Sequence, residues 1–439
     1  MTSKSLSELI DSDVLPNSWD TKRLDEVAYI NQKTSNLREY SSINYTDISS
    51  VGTRTVEIPS KIEIADAPSR ARRVLSKGDT VISTVRPNRR SFFYFAGEWE
   101  NAIASTGFVV VSPMHLEDSE YLHAMLTSEI AVHFYESICE GGAYPAFNPS
   151  RLAELVVPWP PKAIRTEVGK TVMDLQFKIE INNALSKTLE DIAQTIFKSW
   201  FLDFDPVKAK MAGEKPAGMD AATSALFPDS MEESELGLIP KGWNVRASTE
   251  MFEIISGGTP KTSNEDYWGG EIPWFSVVDA PDSGGCFFIK TAKTITEEGL
   301  ANSAARLVRQ GVTVISARGT VGKTAIVAVP STFNQSCYGI EGKYGDFFTY
   351  LLLQNQIARL QNISHGGMFD TITRDTFFAI KVAKPQTEII KNFESLVSPI
   401  FLEIRSLQFQ SDNLARIRDS LLPRLISGEL QIPEKMLAS

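Results

Sequence analysis

The sequence predicts an α/β protein built as an internal repeat, with two mixed α/β domains alternating with two long helices. Three observations carry that reading. Matching blocks recur 225 to 233 residues apart. Each block closes on a long heptad-patterned stretch. Each also opens with short β-type runs around one amphipathic helix.

The repeat is visible residue by residue. Gly78-Asp79-Thr80-Val81-Ile82-Ser83 returns as Gly311-Val312-Thr313-Val314-Ile315-Ser316, an offset of 233. Tyr121-Leu122 returns as Tyr350-Leu351 at 229, Gly141-Gly142 as Gly366-Gly367 at 225, and Leu189 as Leu414, again at 225. The falling offset places small insertions in the globular parts. The constant offset at the end marks one regular element.

Taken in order, residues 1–160 form the first domain. β-type runs lie at Thr80–Val85, Phe92–Ala96, Gly107–Val111 and Leu155–Val157, with an amphipathic helix near Ser119–Glu136. Residues 161–202 form the first long helix. Every seventh residue from Val168 gives Val168, Leu175, Asn182, Leu189 and Ile196, and the companion set is Val172, Ile179, Ser186, Ala193 and Trp200. No proline falls between 162 and 205. A helix of about 38 residues is about 57 Å long at 1.5 Å per residue. The seam outlasts an ordinary globular helix, so a helix pair standing free of the domains is expected. Two amphipathic helices packed on their own domains are the alternative. Asn182 and Ser186 on the seam fix register at some cost in stability.

Residues 203–240 are dominated by Pro, Gly, Ala and acid without a period, which reads as a linker with a short helix near Met219–Leu226. The second domain, 241–385, has β-type runs at Val312–Ala317, Thr324–Val329, Tyr338–Glu341 and Ala379–Val382, and a helix near Asp346–Asn362. Residues 386–439 hold the distal helix, with its seam at Phe393, Ile400, Leu407, Leu414 and Leu421, and a C-terminal tail.

Composition narrows the function. No run approaches the roughly 18 apolar residues of a membrane span, and the N-terminus lacks a signal-peptide core. Three scattered cysteines (Cys139, Cys286, Cys337) exclude a disulfide framework and point to a reducing cytoplasm. Four histidines form no metal spacing. The net charge of −10 argues, in bulk, against nucleic acid. By segment the picture differs. Residues 203–240 carry 3 basic and 8 acidic side chains, net −5, which is half of the total. Within 70–90, seven basic residues (Arg70, Arg72, Arg73, Lys77, Arg86, Arg89, Arg90) face Asp79 alone, net +6.

Arginine suits phosphate forks and bidentate contacts to guanine. Ser83-Thr84-Val85-Arg86-Pro87-Asn88-Arg89-Arg90-Ser91 reads as a strand running into a polar loop, and Ser316-Ala317-Arg318-Gly319-Thr320-Val321-Gly322-Lys323-Thr324 holds the same place in the second copy. Asn334-Gln335-Ser336 lies near the position of Ala104-Ser105-Thr106, and Asn and Gln can read adenine. The candidate DNA contacts are therefore Arg54, Arg73, Arg86, Asn88, Arg89, Arg90, Ser105 and Thr106 in the first domain. In the second they are Lys261, Arg318, Thr320, Lys323, Asn334 and Gln335. A solvated basic loop balanced by nearby acid is the alternative reading.

Catalytic constellations are missing. Gly322-Lys323-Thr324 suggests a phosphate loop, but the required glycine five positions earlier is Ala317, and a strand follows where a helix is needed. No methyltransferase loop, dinucleotide fingerprint or nucleophile elbow occurs. No catalytic residue and no metal site is assigned.

Thr84-Val85-Arg86-Pro87-Asn88, Ser105-Thr106-Gly107-Phe108, Ile192–Phe201, Ser256-Gly257-Gly258-Thr259-Pro260 and Tyr267-Trp268-Gly269-Gly270-Glu271-Ile272-Pro273-Trp274 occur in this order. With them, the chain resembles the specificity subunit of type I restriction–modification systems over nearly its whole length. The resemblance implies two target-recognition domains related by a pseudo-twofold, each reading half of a split DNA site. It implies long helices paired as an antiparallel coiled coil that acts as a ruler. It also implies two modification subunits carrying S-adenosylmethionine and restriction subunits using ATP and Mg, with no cofactor on this chain. The chain itself would be a non-enzymatic DNA-binding subunit directing adenine methylation and restriction by its partners. Phe197, Trp200, Phe201 and Phe204, with Leu422–Leu430, are candidates for partner contact, helix-end packing being the alternative. A free-standing DNA-binding regulator is the rival reading. The acidic bulk charge suggests weak non-specific affinity for DNA.

Overall fold

The computed structural model describes residues 15–142, 144–281, 284–365 (backbone alone over 362–365) and 371–433. Gly366 and Gly367, one half of a repeat match, lie outside them. The chain divides into two compact units: residues up to Glu180 together with those from Asp412 onward, and Ile181–Ser411.

In the first unit an antiparallel sheet orders Ala28–Ile30, Phe108–Pro113, Asp79–Ser83 and Phe92–Phe95. Its side chains alternate between two cores, as the two-residue strand period requires. Ile82, Phe92, Val109 and Val111 pack with helices Ser119–Leu126 and Glu129–Ser137. Val81, Phe93, Phe95, Phe108 and Val110 pack on the other face. Both faces are covered, which is why these strands read as continuous apolar runs. A second sheet orders Lys61–Glu63, Ser42–Thr46, Ala102–Ser105 and Ala71–Val74, with Ser42–Thr46 and Ala102–Ser105 parallel.

The second unit repeats this topology. Its main sheet orders Phe252–Ser256, Cys337–Gly342, Thr313–Ser316 and Thr324–Val327, with Phe287–Phe288 added at the edge. Ile315, Ile326 and Ile340 face one core, Val314, Ala325 and Val327 the other. The parallel pair returns as Trp268–Phe275 with Thr332–Phe333. The closing ladder Asp20–Arg23 with Val156–Trp159 returns as Asn244–Ala247 with Lys381–Lys384.

Several expectations shift. The helix expected over Ser119–Glu136 is two helices. They break at Thr127-Ser128, where the Ser128 hydroxyl caps the second helix by accepting from the Ala131 N–H. Residues 203–240, read as a linker, hold helices Asp205–Met211 and Ala221–Leu226 and the hairpin Met231–Ser234/Gly237–Pro240. Phe227 and Ile239 bury in the second unit's core, so apolar anchors spaced among polar residues order this segment.

The long helices are Lys162–Phe201 and Thr387–Ile426, 40 residues each, and the heptad seam is their buried face. They run antiparallel. In the first unit Arg418 donates to Gln176 at 2.5 Å, and in the second the Phe197 and Phe393 rings lie 5.8 Å apart. The expectation of a free-standing pair is corrected. Val168, Val172, Leu422 and Ile426 belong to the first unit's core, and Ala193, Phe197, Trp200, Phe393, Val397 and Phe401 to the second's. Burial of these seam positions on the domains, beyond helix-to-helix packing, supplies the stability. Asn182 and Ser186 are buried, and Asn182 Nδ2 and Ser186 Oγ find no hydrogen-bond partner among the described residues.

Candidate nucleic-acid interface

In the first unit strand Asp79–Ser83 runs into the arginine-rich loop, which backbone bonds suspend from two neighbours. Thr84 N–H donates to Gly107 O at 3.0 Å, Phe147 N–H to Thr84 O at 3.0 Å and Arg86 N–H to Pro145 O at 2.8 Å. Pro87 then starts a single 3-10 turn, Pro87–Arg89, between two residues in left-handed backbone, Arg86 (φ 50°) and Arg90 (φ 53°). Thr53 bridges Ser91, and Arg54 N–H donates to Arg90 O at 2.9 Å. The result is a braced loop whose tip, Asn88-Arg89, is exposed.

The second unit hangs the equivalent loop the same way. Ala317 N–H donates to Ser336 O at 2.7 Å, Ile372 N–H donates to Ala317 O at 2.9 Å, and Arg318 bridges Thr371 as Val85 bridges Ala146. The Ser316 hydroxyl closes the loop, donating to Thr320 O at 2.5 Å and accepting from Lys323 N–H at 2.9 Å. The ladders pair Ser316 with Cys337 and Ser83 with Phe108, so Asn334 corresponds to Ser105 and Gln335 to Thr106. The sequence comparison set that match one residue off.

Exposure sorts the predicted contacts. Asn88, Arg89 and Thr106 in the first unit are exposed, as are Lys261, Arg318, Thr320, Lys323 and Gln335 in the second. Arg86 lies over the Tyr144 ring at 4.4 Å, and that tyrosine is 72% exposed. Asn334 is half-buried, and its side-chain Oδ1 accepts from Ser336 N–H at 3.0 Å, so it shapes the turn. The Thr259 hydroxyl donates to Gln335 Oε1, tying the 256–260 turn to this group.

Four predicted contacts are corrected. Arg54 is only 11% exposed in its side chain, sits over the Phe92 ring at 4.9 Å and faces Glu129 at 3.5 Å. Burial, with Arg418 nearby, pulls it down to about 10, so it is an interior brace. Arg90 is turned back from the tip onto Glu129 at 2.6 Å. Arg73 lies in strand Ala71–Val74, and its Nε is buried. Ser105 is fully buried. Residue type and place in the sequence pointed to each, and neither tells which way a side chain points.

The aromatic group also moves. Phe197, Trp200 and Phe201 are buried in the second unit's core, and Phe204 packs on Trp243 at 5.5 Å between ring centroids. They are packing residues, the alternative reading given above. Leu422, Leu425 and Ile426 are likewise buried in the first unit. Sequence reasoning missed Tyr144. Its only signal was the adjacent Gly141-Gly142, which marks a turn without saying what the turn presents.

No group of His, Cys, Asp and Glu among the described residues could hold a metal. Burial pushes Cys337 up to about 12 and Cys286 well up, so neither thiol is a poised nucleophile. Burial likewise drops His123 to about 3 and keeps it neutral. No helix among the described residues is long and apolar enough to cross a membrane. The candidate interface is two braced polar loops, one per unit, carrying Arg and Asn in the first and Arg, Thr and Lys in the second.

The family model described as the type I restriction modification DNA specificity domain matches residues 16–191 and again 240–405. The chain belongs to this family. Each DNA specificity domain carries one of the two braced loops. The specificity subunit of the HindI type I restriction enzyme of Haemophilus influenzae is 28% identical over 413 residues, covering 84% of this chain and 90% of that one. The MjaIX specificity subunit of Methanocaldococcus jannaschii is 23% identical over 444 residues, covering 96% and 95%. The crystal structure of the type I restriction–modification S subunit from M. genitalium, 13% identical, covers 97% of this chain and 99% of its own at a TM-score of 0.50, a likeness of fold.

Proposed function

We propose that the chain is the DNA-reading subunit of a type I restriction–modification complex. Each specificity domain reads one half of an asymmetric bipartite site. Adenine methylation and restriction are carried out by partners: two modification subunits holding S-adenosylmethionine, and restriction subunits driven by ATP with Mg. The chain then acts where the chromosome is, in the cytoplasm.

The observation that carries this reading is the pair of loops. Both hang from corresponding backbone bonds at the end of the corresponding strand, yet one presents Asn88 and Arg89 and the other Arg318, Thr320 and Lys323. A shared frame with different tips is what reading two different half-sites requires, because base edges are discriminated by side-chain donors and acceptors. Arg86 on Tyr144 adds a flat cationic and aromatic surface beside the first tip. A free-standing regulator is disfavoured, since a chain of net charge −10 has little general attraction for DNA to lean on.

Single-molecule mapping of adenine methylation, in cells expressing the chain with its modification subunit, tests the reading. The expected motif has two unlike halves and an unread spacer. Replacing Asn88 and Arg89 by alanine relaxes one half only, which assigns that half to the first domain. An undivided motif, or methylation unaffected by the chain, would overturn the reading.

A further inference from the structure

The two loops are tied to their domains by different chemistry. In the second unit the side-chain ties among the described residues include neutral ones: Gln361 Nε2 donates to Val321 O at 3.0 Å and Gln354 Nε2 to Thr324 Oγ1 at 2.6 Å. In the first unit they are ionic and centre on one carboxylate, Glu129, in the first turn of helix Glu129–Ser137.

Arg90 meets Glu129 through a two-pronged bond, Nε to Oε1 at 2.8 Å and Nη2 to Oε2 at 2.6 Å. Its third nitrogen, Nη1, donates to the Asn88 carbonyl at 3.0 Å and so grips the loop tip from beneath. Arg54 Nη2 lies 3.5 Å from Glu129 Oε1 and 4.0 Å from Asp419 Oδ1 of the distal helix. Gln176 of the central helix donates to the Arg54 carbonyl at 3.3 Å and accepts from Arg418 at 2.5 Å. Arg54 and Arg90 both hold left-handed backbone, at 56° and 53°, which costs any residue but glycine and persists only where the surroundings impose it. Three arginines, Arg54, Arg90 and Arg418, therefore crowd one region under the tip, and Glu129 is the carboxylate that Arg54 and Arg90 share.

We propose that Glu129 is a positioning residue for the first domain: by gathering Arg90 and Arg54 it sets the Asn88-Arg89 tip in its half-site-reading geometry. The inference rests on that loop being a DNA contact. Glu129 touches no DNA in this scheme. Asp419, which pairs with Arg418 at 2.8 Å, stays in place, but without the Glu129 charge Arg90 and Arg54 lose the carboxylate they share and the grip on Asn88 O loosens, while the second unit's neutral ties are untouched.

The test uses the full chain with its modification subunits and three duplexes: the cognate site, one with the first domain's half-site substituted, and one with the other half substituted. Glu129→Gln should weaken cognate binding about tenfold. Discrimination at the first half should collapse while discrimination at the other half stays as in the unsubstituted chain. Glu129→Asp, which restores the charge, should recover most of the first-half discrimination. Full first-half discrimination by Glu129→Gln would overturn the inference. So would an equal loss at both halves, which is the mark of general destabilisation. If the unsubstituted chain discriminates at neither half, the functional reading itself falls, and this inference with it.

Discussion

Replacing Phe197 by alanine separates a core residue from a partner-binding one. The ring is fully buried, with centroids 5.1 Å from Phe201, 5.6 Å from Phe348 and 5.8 Å from Phe393. Truncating a buried phenylalanine costs about 3–5 kcal/mol, lost aromatic pairs included. The unit spans Ile181–Ser411, 231 residues, for which each kcal/mol moves the melting temperature by about 2–4 °C. The expected drop in the transition reporting this unit is therefore about 6–20 °C. Ile192→Ala is the control. It lies on the same helix but is 44% exposed, and should change stability by no more than about 0.5 kcal/mol. Calorimetry of both variants, alongside capture of a co-expressed modification subunit well below the melting range, gives the answer. Unchanged melting of Phe197→Ala with lost capture would refute the packing argument and return the aromatic group to the partner surface.

Three further outcomes are expected. Burial holds the Asp79 carboxyl up at about 6, above its unfolded value of about 3.9, so the native state binds the extra proton between those values and stability falls as pH rises from about 4 to 6. Asp79→Asn should accordingly stabilise the protein by about 1–3 kcal/mol at pH 7 and lose that gain below about pH 4, read by denaturant unfolding at both pH values; a gain that persists unchanged at pH 3 would be inconsistent with this. Lys323→Ala should lower the slope of log K against log salt by about one, measured by fluorescence titration with the cognate duplex; an unaltered slope would remove Lys323 from phosphate contact. Lengthening the central helix by four residues near Leu189 should lengthen the unread spacer, and a spacer unchanged in methylation mapping would end the ruler idea.

The strands and long helices were legible because burial imposes a period. The alternation of Val81 with Ile82, and the heptads from Val168 and Phe393, are written directly in residue order. The short strand Asp20–Arg23 was not, because its pattern is polar and it exists through pairing with Val156–Trp159. Helix Asp205–Met211 was hidden for a related reason, since seven residues show too little periodicity to read. Among site residues, Asn88, Arg89, Arg318 and Lys323 were legible as exposed polar tips after apolar strands. Arg54 and Arg90 looked the same and are not, because a guanidinium on a flexible stem can reach outward to DNA or inward to Glu129.

Residue order by itself determined the repeat, the α/β character, the heptad seam and the strand-to-loop position of the two candidate tips. These follow from periodic burial and local backbone preference, which a single stretch of chain expresses without knowing its neighbours. Tertiary structure alone decided which arginines face outward and that the aromatic cluster is core. It also decided that the helices bury their seams on the domains, and that Arg90 pairs with a carboxylate 39 residues away in the chain, Glu129. Those outcomes depend on which charges and rings meet across long sequence separations, and the range at which a buried ion pair or an aromatic contact acts is set in space and not along the chain.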